Sequence, residues 1–290
     1  MDMKKNSIFQ CATCALLSAT ALLAPLGASA QSSKSGADDW KFRASIYAWL
    51  PSLEVKSNFS VPPAIVNAGL TTGGNAEVDG GDILKAMESV FMGTFEARKG
   101  RWGGFTDLIT LNLGQTKTGS KHFTIGGRLL PTVPGDAALT ADFSLKGAVW
   151  TLAGQYAAID EPGHNLNIVA GARYLTLDQK LNWSFSGNVG PIALPLRTGT
   201  MTSDGSVTDF VVGVRGQAKL GDGRWFVPYY LDVGTGQSNS TYQGLIGLGY
   251  AFDWGEITAA YRVLDYNLPD SKFVSDLRFN GGMIGLGFRW

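Results

Sequence analysis

The end of this chain limits its fold more than any other stretch. Leu277–Trp290 reads LRFNGGMIGLGFRW, and from Ile284 every second residue is large and apolar: Ile284, Leu286, Phe288, Trp290. Gly285, Gly287 and Arg289 fill the places between. A two-residue period puts the apolar side chains on one face of a strand and the small or polar ones on the other. Termini fray unless a sheet holds them, so an alternation that runs to the last residue predicts a strand paired to its end. A sheet that leaves no strand unpaired is a barrel. A membrane-spanning barrel is built from strands in even number, with short turns at one rim and longer loops at the other.

The rest of the chain divides in that way. Trp40–Leu50 alternates as a first strand. A Pro- and Gly-rich excursion follows over Pro51–Glu88, with a short helix expected around Asp82–Met87. Further strands are expected at about Ser89–Lys99 and Trp102–Gln115, joined at Gly100-Arg101, and at Thr140–Ile159 and Asn165–Asn182, joined at Asp160–Gly163. Thr116–Leu139 between those pairs reads as a long loop, as does the Gly-, Pro- and Thr-rich stretch up to Gly205. Strands at Val207–Leu220, Arg224–Val233, Thr241–Phe252 and Glu256–Tyr266 lead to the terminal one. The expected fold is all-β: a transmembrane antiparallel up-and-down β-barrel of about ten strands, with eight or twelve as alternatives. Both termini fall at the short-turn rim, which is the periplasmic one in bacterial barrels.

Met1–Ala30 carries Lys4 and Lys5, an apolar run, Pro25 and the small exit Ala28-Ser29-Ala30, the pattern of a secretory signal peptide cleaved after Ala30. That leaves 31–290 as one barrel domain. Both cysteines, Cys11 and Cys14, lie in the leader, so no disulfide is expected in 31–290. The formal net charge is zero, which gives no footprint for nucleic acid. The 38 glycines are about twice ordinary usage, and they recur inside strand-like runs, which suggests crowded sheet surfaces.

Tryptophan marks one boundary. Trp102, Trp225 and Trp254 each sit at a short turn, and Trp40 and Trp290 begin and end the barrel. An indole is stabilised half in lipid, so these five are expected as an interface girdle. A charge on the lipid face near mid-membrane costs about 2–4 kcal/mol, so alternation assigns strand charges to the lumen. Phe91 and Phe95 outside put Glu96 and Arg98 inside; Ile168 and Ala170 outside put Arg173 inside. By the same parity Asp209, Arg215, Asp232, Glu256 and Arg262 face inward. Glu96, Arg98, Arg173, Arg215, Asp232 and Arg262 are thus the expected pore-lining residues, serving either as a salt-bridge filling or as a narrow path with anion preference. Four places resist the scheme. The apolar face switches between Leu145 and Trp150 and again beyond Tyr174, which calls for bulges or for strands that extend past the membrane. Pro228 predicts a bulge, and the side taken by Asp107 is undecided.

No catalytic constellation stands out. His122 and His164 read as solvated loop histidines, no metal cluster is visible, and the glycine-alternating GLGYAF and GLGFRW are strands, not phosphate loops. The expectation is a protein that is not an enzyme and carries no cofactor.

A group of segments carries a resemblance: YAWLPSL at Tyr47–Leu53, Val78-Asp79 and Asp82-Ile83-Leu84, FEARKGRWGGFTDLITLNLG at Phe95–Gly114, GARYLTLD at Gly171–Asp178, YRVLDY at Tyr261–Tyr266, and the terminal GLGFRW. With these the chain resembles a family of proteobacterial outer-membrane β-barrel proteins of largely unassigned function, akin to small barrels such as OmpA and OmpW. The resemblance implies a Gram-negative outer membrane as location, and lipid, lipopolysaccharide and the barrel-assembly machinery (reading the C-terminal strand) as partners. It brings no catalytic residues. The combined expectation is a monomer with a structural or small-solute permeation role; the alternative is surface binding through the loops Pro51–Glu88 and Thr116–Leu139.

Overall fold

The computed structural model describes residues 39–57, 75–78, 85–125, 133–269 and 274–290, all within the compact unit Ala37–Trp290. The expected leader, Met1–Ala30, and most of the first excursion lie outside the described residues; of the expected helix, Lys85–Ala86 is a helical turn that runs straight into strand.

The strands are β1 (Trp40–Ser57), β2 (Asn75–Val78), β3 (Met87–Lys99), β4 (Trp102–Ile125), β5 (Val133–Glu161), β6 (His164–Val189), β7 (Ile192–Lys219), β8 (Trp225–Gly236), β9 (Ser240–Ala251), β10 (Glu256–Asn267) and β11 (Val274–Arg289). Every pairing among them is antiparallel, consecutive strands from β3 to β11 are neighbours, β3 pairs with β1, and β11 closes on β1 from Arg43↔Arg289 to Ser57↔Val274. Among the described residues the closed ring holds ten strands. β2 is a short addition, paired with Leu53–Lys56 of β1 on the side where β3 lies. The terminal alternation is tied down to its end, because the amides of Phe42 and Trp290 each donate to the other residue's carbonyl, at 2.9 and 3.1 Å.

The outward face is apolar around the ring. Phe210 (76% exposed), Ile246 (63%), Leu231, Val233 and Ile168 stand clear of the wall. In a monomer of this size so much contiguous apolar surface needs a cover, and on a closed barrel that cover is lipid: this is a transmembrane up-and-down barrel. Its lower rim is aromatic. Trp225, Tyr250, Phe252, Trp254 and Phe288 follow one another with ring centroids 4.8–5.7 Å apart. Trp290, Phe42 and Trp40 continue the series, and Trp102 packs on Tyr156.

The connections at the other rim correct the expectation of long loops. β4, β5, β6 and β7 run for 24, 29, 26 and 28 residues, against 12 in each of β8, β9 and β10. At about 3.4 Å per residue the long strands reach twice as far as a bilayer requires. The stretches read as loops, Thr116–Leu139 and the residues leading to Gly205, are mostly strand: a four-stranded tongue that continues the barrel wall upward. Their glycines are accommodated by neighbours. Trp183 lies opposite Gly199, where a Cβ would fall 2.6 Å from the indole, so the ring covers the position that the missing side chain leaves open. Gly190, in the left-handed region at φ 57°, turns β6 into β7 with Pro191. Above Thr208 the outer edge of β7 has no partner strand among the described residues, since its pairing with β8 begins at Asp209↔Gly236.

Two ladders are interrupted. β1 pairs with β3 only from Trp40↔Lys99 to Ile46↔Gly93; beyond it the Trp49 amide donates to the Met92 sulfur at 3.3 Å. At Pro228 the β8–β9 pairing skips from Phe226↔Gly249 to Tyr229↔Ile246 without changing register. The proline therefore costs two rungs of ladder and makes no bulge.

Candidate functional site

The lumen is built in layers, and each strand contributes by its inward parity. Nearest the short turns, Glu256 of β10 lies between Arg43 of β1 and Arg289 of β11 and pairs with both. Glu96 pairs with Arg215 at 3.2 Å and accepts from the Gln155 amide at 2.6 Å, while the Arg215 guanidinium lies 4.2 Å over the Phe105 ring. Arg98 turns to the rim and pairs with Asp160. A chamber of about 180 Å³ lies at this level, with Asn165, Asn167, Tyr229 and Thr258 on its wall.

Above it, Arg262 binds Asp107 at 2.6 Å, Gln243 at 2.7 Å and the Tyr47 hydroxyl at 2.9 Å. Asp107 also accepts from Tyr47 at 2.6 Å and Thr94 at 3.0 Å. Beside this layer Arg173 and Asp232, 0% and 1% exposed, pair with each other, and Thr151 accepts from Arg173 at 3.2 Å. Asp209, equally buried, is the cross-strand neighbour of Arg173 and accepts from the Ser238 amide at 2.9 Å. A buried charge is tolerated when paired and hydrogen-bonded, and Arg262 with Asp107 and Arg173 with Asp232 meet that condition, whereas Asp209 rests on the Ser238 amide and one oxygen each of Asp209 and Asp232 has no hydrogen-bond partner among the described residues.

The layer towards the tongue is apolar. Trp49, Leu53, Ile109, Leu113, Leu145, Val149, Leu175, Leu264 and Leu277 pack into one buried cluster. Its position explains the switches of apolar face at Leu145 and beyond Tyr174. No bulge lies there; the irregularities of β5 and β6 are at Ala157/Ile159 and Phe185/Gly187. Leu145, Val149 and Leu175 keep inward parity, and the inside itself changes from polar to apolar with height. Asp107, undecided from sequence, belongs to the inner network; its signal was Thr94, which faces it across the β3–β4 ladder.

Glu96, Arg98, Arg173, Arg215, Asp232 and Arg262 all lie on inward-facing positions, each in an ion pair. Trp40, Trp102, Trp225, Trp254 and Trp290 all lie on the outer surface near the short turns, 47–69% exposed. The histidines differ from their reading as loop residues. His164 opens β6 and stacks on Tyr229 at 6.1 Å. His122 lies in β4 and contacts the carboxylate of Asp136, its cross-strand partner in β5. With side chains 86% and 56% exposed, that pair lacks the water-excluded setting that makes such dyads effective in acid–base chemistry. Among the described residues no group of three or more His, Cys, Asp or Glu side chains could hold a metal ion.

No protein-family model and no curated protein matches this sequence. Solved structures that it resembles are barrels. The outer membrane protease OmpT from Escherichia coli aligns over 89% of this chain and 99% of its own, at 11% identity and TM-score 0.46. The translocator domain of autotransporter NalP from Neisseria meningitidis aligns over 89% and 90%, at 12% and 0.36. The attachment invasion locus protein Ail of Yersinia pestis aligns over 87% and 99%, at 10% and 0.32. At these values the likeness carries no argument about role, and the barrel rests on its own closed ladder.

Proposed function

We propose that this chain is a Gram-negative outer-membrane barrel whose lumen is closed to free permeation and which acts at the cell surface through the tongue of β4–β7. The observation that carries the reading is the contrast between the two halves of the molecule. Below, the lumen is occupied by paired charges capped by an apolar layer. Above, β7 is exposed on both faces at nearly every residue from Ile192 to Ser206, and its outer edge has no partner strand among the described residues. A strand with free backbone donors and acceptors is a template for an added strand. The short turns lie in the periplasm and the tongue outside.

The tongue can be shortened along one ladder line, Thr116↔Asp142 and Asn182↔Thr200, by replacing 117–141 and 183–199 with two-residue turns. The shortened barrel is expected to assemble and remain heat-modifiable in gels while cells carrying it lose the surface phenotype of the full-length protein. Unchanged surface behaviour would refute the reading.

A further inference from the structure

The lipid-facing wall carries a recess of about 720 Å³ near the short-turn rim, between β1, β3, β4 and β5. Its floor is Ala97 and Gly104, which face each other across the β3–β4 ladder, so no side chain there exceeds a methyl group. Phe95 and Leu152 rise on the side towards mid-membrane, Trp40 and Trp102 stand at the interface level, and Lys99 closes the end next to the turn. Arg101 follows in that turn and donates to the Tyr156 hydroxyl at 3.4 Å; of the two carboxylates at the neighbouring turn, Asp160 and Glu161, Asp160 pairs with Arg98. At the apolar end the Trp150 indole N–H is satisfied by Thr106 at 2.8 Å, which removes a polar donor from the lipid side.

From this geometry we infer that the recess holds a phospholipid of the periplasmic leaflet: its anionic headgroup lies against Lys99 and Arg101, and one acyl chain covers Ala97 and Gly104. The recess is polarised in the sense that leaflet demands, cationic at the turn and apolar towards the membrane centre. It is continuous with the apolar belt that lipid already covers. The aromatic walls sit at the headgroup level, where an indole is at home. The inference rests on placing the short turns at the periplasmic side but not on the role of the tongue.

The test is native mass spectrometry of the full barrel, released from detergent after incubation with phosphatidylglycerol or phosphatidylethanolamine. The wild type is expected to retain one phosphatidylglycerol in preference to phosphatidylethanolamine. Ala97→Phe, which fills the recess, should lose it, whereas Ala259→Phe, on the lipid face of β10, should not. Lys99→Gln with Arg101→Gln keeps the floor intact and should lower the preference by about fivefold per charge removed; exposed turn positions tolerate these changes, so this arm stands even where Ala97→Phe fails to assemble. Equal retention of both lipids in every variant would overturn the inference, as would a dimer that Ala97→Phe dissolves. Retention in detergent does not depend on any surface activity, so this result and the fate of the tongue are read separately.

Discussion

Arg262 shows how single residues close this lumen. It is 3% exposed and reaches Asp107, Gln243 and Tyr47 from three other strands, so it ties β10 to β4, β9 and β1 across the interior. Removing one member of a buried pair leaves the other uncompensated and costs about 3–5 kcal/mol, whereas replacing both with apolar side chains of similar volume is often neutral. Asp107→Leu is therefore expected to lower the urea midpoint of the folded barrel in detergent. Arg262→Met combined with Asp107→Leu should recover most of the loss; a double variant as weak as the single one would show that the pair is not the unit. Arg262 itself was legible from the alternation of Tyr261 and Val263. Its partner was not, because Asp107 lies in a run of Thr, Leu and Ile whose two faces differ little in polarity.

Among the elements, β8 carries a built-in defect. Pro228 has no N–H to donate, and the β8–β9 ladder skips Val227 and Pro228. The loss falls on an acceptor, the Gly247 carbonyl opposite Pro228, so Pro228→Val, which restores an N–H to the strand, is expected to raise the stability of the folded barrel in urea by about 1 kcal/mol. An unchanged midpoint would contradict the gap. The strands of the barrel proper were readable because one face must suit lipid, which forces a two-residue period. That constraint ends where the wall leaves the membrane. In the tongue both faces meet water, so Thr, Gly and Ser serve as well as aliphatic residues, and continued strand is indistinguishable in composition from loop. The same limit hid the apolar layer: a lumen assumed to be polar throughout turns Leu145 and Leu175 into apparent errors of parity, when they are the cap on the charges below.

At the scale of the molecule, a ten-stranded ring has an interior that side chains can fill, since open aqueous channels require about 16–18 strands. Here two fillings are stacked, a paired-charge layer and an apolar one, and an ion would have to break the first and dehydrate through the second. Sequence parity located most of the charges; only their mutual pairing in three dimensions distinguishes a plug from a selectivity ring. The direct test is single-channel recording of the purified, heat-modifiable barrel in a planar bilayer. The closed-lumen account predicts insertion without discrete conductance steps. Voltage-stable, ion-selective steps, altered by Arg262→Met with Asp107→Leu, would contradict it.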